Sequence, residues 1–535
     1  MAESKSCRSS AEKIEIHNQE NVAKVHPVAV ELVEAVAEQG QKFWSVSMLR
    51  IYSIMTVGYL ISTIQGFDGS LMGAINAMKP FQKSFSLNGA GASTGLVFII
   101  YNLAQIAAFP VCGFINDKYG RRACIFIGCV IVLIGTAIQG SAQNLGAFMG
   151  GRFVLGFGAV VAHAAAPAYV VELAPPAYRG ITAGMYNNFW WIGNILAGWT
   201  TYGTNLHLKT SWAWRIPTIM QAALPSFAMI IVLFLPESPR WLISQDRSDE
   251  ALAVLAKYHG EGDPNAHIVQ LQYREILEEE AGHDEKLKWW DYRELVATRS
   301  ARYRLALVIA VAFFGQWSGN NVVSYFMPAM ISNAGITDTN TQLLINAINP
   351  ILSWVAAMTG ATILDKFGRR QMMMGGLTGA LIWYCFLTAF TAESAKNQNL
   401  SYAVIVSIYM FGICFAMGMT PSATLYPMEV LPNRTRAKGS ALKFVFLNIA
   451  TMTNTYGVSV GIKKIGWKLY LVYIIWITVE IAVIYFFFVE TSGKTLEELA
   501  VIFESSNPRK TSTKKIKVEL DDNSRVVREV KEDPA

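Results

Sequence analysis

Charged side chains are scarce in this chain, and their scarcity limits what the protein can be. Of its 535 residues, 16% are Asp, Glu, Lys or Arg, whereas 52% are hydrophobic. A soluble globular protein carries about a quarter charged residues. The charges concentrate at the two ends and in a central stretch, with long uncharged runs between them. This pattern excludes an ordinary soluble protein, and a net charge of +6 is too small to indicate a nucleic-acid partner.

Cysteine is sparse as well, and its spacing excludes a disulfide framework and a cysteine metal site. No two of the six cysteines have CxxC spacing, and five fall in apolar segments, where they pack as small apolar side chains. The chain also lacks a recognisable nucleophile–base set, metal-ligand cluster or nucleotide-binding loop. We therefore expect neither an enzyme nor a cofactor. The cysteines are Cys7, Cys112, Cys124, Cys129, Cys385 and Cys414.

Long apolar runs are what the sequence has in abundance. Each of twelve runs is close to the roughly 20 residues that a helix needs to cross a bilayer. The runs lack the alternation of a membrane β-barrel, the other structure that satisfies its backbone in lipid. The sequence therefore predicts an all-α membrane protein with twelve transmembrane helices, called spans below. The runs lie at about 50–71, 92–114, 123–140, 147–170, 181–203, 216–235, 304–331, 342–363, 371–391, 401–425, 438–460 and 469–489.

Loop charges predict that both ends of the chain lie in the cytoplasm. The connections after spans 2, 4, 8 and 10 carry Lys and Arg, whereas those after spans 3 and 7 carry none. Lys463, Lys464 and Lys468 disagree, because they precede span 12 in a predicted outer loop. Asn399 begins an Asn-Leu-Ser sequon in another predicted outer loop, where a glycan can be attached.

The spans and loops divide the chain into two halves and three polar regions. The polar residues 1–47 contain no cleavable signal sequence. Residues 248–259 and 266–281 have helical spacing, and residues 505–535 have the composition of a disordered tail. We expect a cytoplasmic tail at 1–47, a six-helix half at 48–235, a cytoplasmic loop with short helices at 236–303, a second six-helix half at 304–490 and a cytoplasmic tail at 491–535.

The second half repeats the charged motifs of the first. Residues 117–122, Asp-Lys-Tyr-Gly-Arg-Arg, return as Asp-Lys-Phe-Gly-Arg-Arg at 365–370. The pair Glu172 and Arg179 returns as Glu429 and Arg436. Three motif pairs, with Glu237 and Glu490 as the third, keep their order at an offset of about 250 residues, which indicates two homologous halves with a site between them near the membrane centre.

These motifs resemble those of the sugar porter family of the major facilitator superfamily, over about residues 45–505. Residues 66–73 and 425–439 most resemble the fungal lactose and cellodextrin permease branch. The resemblance implies a multi-pass plasma-membrane transporter that works as a monomer. The motifs lie at 117–122, 151–158, 172–180, 236–241, 316–321, 365–370 and 490–498.

Two charged residues lie within the apolar spans of the first half. A charge at mid-bilayer costs at least about 2.5 kcal/mol, so Asp68 in span 1 and Arg152 in span 4 are expected to pair. In proton-coupled sugar porters, the residues that match these two carry the coupling. The hypothesis is that protonation of Asp68 loosens the pair and is linked to sugar binding. The alternative is a permanent salt bridge between helices.

Neutral amides and hydroxyls are the groups that recognise sugar hydroxyls, and several lie in the spans. Gln316 and Asn321 match sugar-binding residues of the family, and an interhelical hydrogen bond is the alternative for each asparagine. That alternative is equally favoured for Asn346, Asn349, Asn448 and Asn454. The predicted substrate residues are Asn187, Asn194, Gln316, Asn320, Asn321, Asn349, Thr424 and Asn448.

Two departures from the family pattern affect the size of this site. Gly315 stands where the family has the first Gln of a pair, and Thr424 stands where many hexose carriers have a stacking Trp. Both changes remove bulk. The sequence therefore favours a disaccharide such as lactose or cellobiose, or another ligand that is not a simple hexose.

The charged motifs at the cytoplasmic ends are interpreted as a gate. The resemblance implies ion pairs that join the halves in the outward-open state and separate in the inward-open state; fixing the topology is the alternative role of the arginines. His163 and the mid-span Glu480 are assigned to packing. The gate residues are Asp117, Arg121, Arg122, Glu172, Arg179, Glu237, Arg240, Asp365, Arg369, Arg370, Glu429, Arg436 and Glu490.

Three functions are compatible with the sequence. The first is proton-coupled import of a sugar, with the sugar, protons and the lipid bilayer as partners. The second is a carrier or exporter of another polyhydroxylated small metabolite. The third is a sugar-sensing receptor, which ranks last because the tail after span 12 is short.

Overall fold

The structure is a computed structural model. It describes residues 46–87, 89–175, 179–260, 262–281, 292–394, 400–492, 494, 496–505, 507–513, 516–520 and 526–531. Asn399 lies outside these residues, so its predicted glycosylation stays a prediction. The side chains of Arg179 and Asp365 are likewise outside the described set.

The first half consists of six spans, two of them continuous with each other. Spans 2 and 3 form one helical segment of 50 residues that is interrupted at Gly120, where the backbone is not helical. Span 6 is split into two pieces. The bounds are Val46–Ala77 for span 1, Ala92–Ser141 for spans 2 and 3, Leu145–Glu172 for span 4, Arg179–His207 for span 5, and Trp212–Met220 with Ala223–Val232 for span 6.

The second half repeats this arrangement. Span 7 is also split into two pieces, whereas the sequence predicted one continuous run. The bounds are Arg299–Trp317 with Asn320–Asn333 for span 7, Thr339–Phe367 for span 8, Arg369–Glu393 for span 9, Leu400–Val430 for span 10, Asn433–Ile465 for span 11 and Leu469–Phe487 for span 12.

Shorter helices lie outside the spans. The loop between the halves contains Ser248–His259 and His267–Ala281, at the places where the sequence has helical spacing. The predicted disorder after residue 505 is wrong for part of the tail, where strands Ile516–Leu520 and Val526–Lys531 pair antiparallel. The other helices are Lys79–Phe85, Pro239–Ser244, Glu294–Ala297, Leu496–Glu504, Pro508–Thr513 and the 3₁₀ turn Gly466–Lys468.

The prediction of a twelve-span membrane fold is confirmed. Eight helical segments of the described chain are long and apolar enough to cross a membrane, and two of them each hold two spans. The remaining two spans, Val46–Ala77 and Arg179–His207, are 32 and 29 residues long but fall short on apolarity. These two helices carry Asp68 and the asparagines of span 5, so their lower apolarity reflects polar residues that face the protein interior.

A glycine forms the turn between the second and third spans of each half. Gly120 has φ +88° and Gly368 has φ +86°, a region that side chains rarely occupy. A Cβ at residue 120 would lie 2.6 Å from Glu237 Oε2, and a Cβ at 368 would lie 2.6 Å from Glu490 Oε2. The two repeats therefore have the same turn closed by the same contact.

In the described chain, the most extensive packing between the halves is by spans 1 with 7, 2 with 11 and 5 with 8. Close backbone approach is possible because small residues lie at the crossings. A Cβ at Gly198 of span 5 would lie 2.9 Å from the Cα of Ala347 in span 8. The end of the bundle at which span 1 begins and span 12 ends is called the termini side here, and the opposite end is called the far side.

Candidate functional site

Asp68 is enclosed in the first half. Its side chain is 1% exposed, and its Oδ1 accepts a hydrogen bond from Gln221 Nε2 at 2.6 Å. Its Oδ2 has no hydrogen-bond partner. Gln221 lies between the two pieces of span 6, where Pro225 lacks the N–H that would bond the Gln221 carbonyl. The break in span 6 thus places an amide at the carboxylate.

Arg152 lies in the same region without contacting Asp68. Its guanidinium is 5.3 Å from the centre of the Tyr101 ring, and its Nε and Nη1 have no hydrogen-bond partner. The two charges interact electrostatically, but no ion pair within 4.0 Å joins these two described residues. The expected direct pair is therefore absent in this conformation, because Gln221 holds the carboxylate and Tyr101 lies beneath the arginine.

Span 5 packs closely against span 1. A Cβ at Gly66 would lie 1.9 Å from the Trp190 carbonyl oxygen, and one at Gly193 would lie 2.0 Å from that of Thr63. This packing brings the predicted substrate residues of span 5 close to the helix of Asp68. Asn194 is buried and donates to the carbonyl of Trp190 in its own helix, and Asn187 is half-buried.

The break in span 7 lies among polar groups of span 11. Gln316 Oε1 accepts from Thr451 at 3.0 Å, and the Gln316 carbonyl accepts from Asn454 Nδ2 at 2.6 Å. Asn454 also accepts a hydrogen bond from Tyr473. Asn454 therefore forms an interhelical hydrogen bond, which is the alternative role predicted for this residue. Asn320 is half-buried, and Asn321 is buried.

Two amide atoms in the second half are buried without protein partners. These are Asn321 Nδ2 of span 7 and Asn349 Oδ1 of span 8. Buried polar atoms of this kind are satisfied by water or by a ligand. Asn448 instead donates to the Phe444 carbonyl of its own helix at 3.0 Å.

Thr424 and Gly315 leave space where the family carries larger side chains. Thr424 is exposed on span 10. A Cβ at Gly315 would meet nothing within 4 Å. The roomy site stays a prediction.

Two polar residues of the spans were missed by sequence reasoning. One is Gln221, because nothing in a lone glutamine indicates a partner 153 positions away. The other is Lys443 in span 11, whose Nζ donates to the Ala423 carbonyl at 2.7 Å. That carbonyl lacks a helical donor, because Pro427 has no N–H. A lysine inside an apolar run is itself a signal that should have been used.

The charged motifs on the termini side form a cluster in the first half. Arg121 Nη2 is 3.1 Å from Glu172 Oε1. The Glu237 carboxylate accepts the backbone N–H groups of Arg121 at 3.0 Å and Arg122 at 3.2 Å. Burial raises the pKa of Glu237, and these backbone hydrogen bonds oppose the rise. Ser238 Oγ donates to Glu172 and completes the cluster.

The second half has the matching cluster. Arg369 Nη2 is 2.7 Å from Glu429 Oε1. Glu490 accepts the backbone N–H groups of Arg369 at 2.9 Å and Arg370 at 3.1 Å, and Thr491 Oγ1 donates to Glu429 at 2.5 Å. Each gate contact described here lies within one half.

On the far side, the halves do contact each other. The Ser459 hydroxyl of span 11 donates to the Gly91 carbonyl at 2.8 Å and accepts the Gly91 N–H at 3.1 Å. Asn205 Nδ2 donates to Asn340 Oδ1 at 2.7 Å, which joins spans 5 and 8. These contacts close the bundle on the far side.

Known transporters resemble this chain in sequence. The sequence model of the family described as "Sugar (and other) transporter" matches residues 54–503. A high-affinity glucose transporter of Kluyveromyces lactis is 26% identical over 480 residues, 86% of each protein. A quinate permease of Neurospora terricola is 26% identical over 479 residues, 85% of this chain and 89% of that protein.

Solved structures show the same fold. The inward-open conformation of the xylose transporter XylE from E. coli has a TM-score of 0.70 and 21% identity, and the match covers 85% of this chain and all of that one. A D-xylose–proton symporter structure has a TM-score of 0.67 at 20% identity, over 83% of this chain and 99% of that one.

Proposed function

We propose that this chain, which belongs to the sugar porter family of the major facilitator superfamily, carries a sugar across a membrane together with protons, by alternating access. The observation that carries the proton coupling is the enclosed Asp68, hydrogen-bonded to Gln221 and facing the charge of Arg152 without an ion pair. Members of this family are transporters and not enzymes.

The surroundings of Asp68 suit both of its protonation states. As a carboxylate, it accepts from the Gln221 amide and interacts favourably with Arg152. As a neutral acid, it can donate to Gln221 Oε1, which has no partner in the present conformation. Rotation of one amide therefore accommodates the proton, and the gain or loss of a charge changes how firmly span 1 is held to spans 4 and 6.

Solute recognition is assigned to the unpaired amides of the second half. Asn321 and Asn349 supply one donor and one acceptor without protein partners, which suits a ligand that carries hydroxyl groups. The relatives are named for glucose and quinate, so polyhydroxylated rings are the ligand class that their names share. The space at Gly315 and the exposed Thr424 favour a disaccharide such as lactose or cellobiose over a hexose. Membership of the lactose and cellodextrin branch stays a prediction.

The contacts between the halves suggest which state the structure represents. The far side is closed by Ser459, Asn205 and Asn340, while the gate clusters pair within their own halves. With the termini in the cytoplasm, as the loop charges predict, this is an inward-facing state of a plasma-membrane carrier.

The test is uptake of labelled lactose, cellobiose and glucose by transporter-deficient yeast, with and without a protonophore. We expect accumulation that the protonophore abolishes, and loss of accumulation without loss of exchange in Asp68→Asn. The matched control is Asp338→Asn, which changes a helix-capping aspartate on the far side. Full uphill accumulation by Asp68→Asn would contradict the coupling, and no uptake of any sugar by protein at the cell surface would contradict the substrate class.

A second candidate is a carrier of a polyhydroxylated acid, and Lys443 is the observation that favours it. Its ammonium group has three N–H donors, of which the Ala423 carbonyl takes one. Neutral sugars do not require a cation in span 11, whereas a carboxylate benefits from one. Uptake of labelled gluconate in preference to glucose would support this candidate over the first.

A further inference from the structure

Span 12 contains a carboxyl group that the proposed transport cycle does not use. Glu480 is 0% exposed, and neither carboxylate oxygen has a hydrogen-bond partner. Its side chain interacts with Ser318, which lies at the break in span 7 between Trp317 and Asn320. A buried ionised carboxylate without a partner would be among the most costly groups in a membrane protein.

The groups next to Glu480 can hold a neutral acid better than a carboxylate. Its polar neighbours are Ser318 of span 7 and Trp476, one turn earlier in span 12. The Ser318 hydroxyl donates its only proton to the Phe314 carbonyl. Toward Glu480, Ser318 can therefore only accept a hydrogen bond, and a carboxylate has none to donate. Trp476 Nε1–H has no partner and can donate to the remaining oxygen.

Among the residues that the structure describes, no Lys, Arg or His interacts with this carboxyl group. The titratable groups packed around the break are Tyr384 of span 9 and Tyr470 and Tyr473 of span 12. In the described chain, spans 7 and 11 contribute neutral side chains there, such as Ser318 and Asn454. Asp68 differs, since Arg152 lies near it.

The position of Glu480 connects it to the break in span 7. Gly319 has φ +86°, and a Cβ there would lie 2.8 Å from the Tyr384 ring, so the break depends on glycine. Ser318 precedes this glycine and is 0% exposed. A hydrogen bond from span 12 to Ser318 would thus fix the piece of span 7 that carries Gln316 relative to the piece that carries Asn321.

We propose that Glu480 is a second proton-binding site, in which the neutral acid donates its proton to Ser318 Oγ and accepts from Trp476 Nε1–H, and so holds the break of span 7. The inference adds a site to the proposed transporter, but it concerns a proton that is bound before any solute enters. Its test can therefore be separated from the test of transport.

The test is infrared spectroscopy of the full-length protein in lipid at neutral pH, without solute or a proton gradient. The difference spectrum of wild type minus Glu480→Gln is expected to show the C=O band of a protonated carboxylic acid, shifted in D₂O. The same band should remain in Asp68→Asn. Carboxylate bands in place of the acid band would overturn the proposal, whether or not the protein transports sugar.

A second variant keeps Glu480 and probes its partner. Ser318→Ala removes the acceptor, so the acid band is expected to move to higher frequency without disappearing. An unmoved band would overturn the assignment of Ser318, and this measurement does not depend on the folding of Glu480→Gln.

Solute exchange tests the effect on span 7. Glu480→Gln can donate to Ser318 and accept from Trp476, so its exchange rate is expected to stay within about twofold of wild type, whereas Glu480→Leu should lose roughly tenfold or more. Equal rates for the two variants would overturn the role of the hydrogen bonds at the break.

Discussion

The turn at Gly120 allows a quantitative test of how much this turn and its contact with Glu237 stabilise the first half. With φ +88° and ψ 175°, this residue occupies a region that is essentially restricted to glycine, so Gly120→Ala costs about 1–3 kcal/mol in backbone strain. The new Cβ would also lie 2.6 Å from Glu237 Oε2. Glu237 would have to move away from the backbone N–H groups of Arg121 and Arg122, and each hydrogen bond to a charged group contributes roughly 1.5–3 kcal/mol.

The expected destabilisation is about 3–6 kcal/mol, if one of those hydrogen bonds is lost. The assay is the apparent melting temperature of the purified protein, which should fall by about 3–5 °C, because the entropy of unfolding scales with chain length. Gly368→Ala should have the same effect through Glu490, because its Cβ would meet that carboxylate at 2.6 Å. The matched control is Gly113→Ala, since a Cβ there meets nothing within 4 Å.

The reasoning would be refuted if Gly120→Ala and Gly368→Ala melted within a degree or two of Gly113→Ala. The double variant adds a test, because the two turns lie in different halves and share no partner. Independent effects should add within about 0.5 kcal/mol. A double variant no worse than either single variant would mean that one half alone controls unfolding.

Three further predictions concern the site. Gln221→Leu removes the hydrogen bond to Asp68 at 2.6 Å, which is stronger for the carboxylate than for the neutral acid, so the midpoint of the pH–uptake profile should rise by about one pH unit; an unchanged profile would exclude Gln221 from coupling. Ser459→Ala removes both bonds to Gly91 and should raise labelling of far-side cysteine reporters, while Thr453→Ala, which loses only bonds within its own helix, should not. Lys443→Met should reduce gluconate uptake at least tenfold and leave glucose uptake unchanged if the second candidate function is right, as measured by competition.

The sequence predicted the architecture well because its signals were local and repeated. Apolar runs of span length and motifs that recur at a fixed offset predicted two six-span halves, and the fold confirms them. The hairpin at 516–531 was missed, because charged residues poor in aromatics are typical of disorder.

The site was harder to predict because its contacts join distant positions. Glutamine at 221 has no sequence signal for an aspartate in span 1, and the break in span 6 that directs it depends on Pro225. Glu480 was assigned to packing, since a single acid in span 12 does not reveal that it meets the break at Ser318. The direct Asp68–Arg152 pair was expected from charge alone, whereas the structure has an amide at the carboxylate.

The residues that complete the two charged clusters occur late in each half of the chain, and this order has a consequence for biosynthesis. Glu237 and Ser238, which complete the cluster of the first half, follow directly after span 6. In a nascent chain, the cluster of the first half can therefore form before any residue of the second half has left the ribosome. Glu490 and Thr491 follow directly after span 12, so the cluster of the second half is also completed only after its last span. Two separately expressed fragments, divided in the loop at 282–291, should accordingly assemble into a working carrier in one membrane.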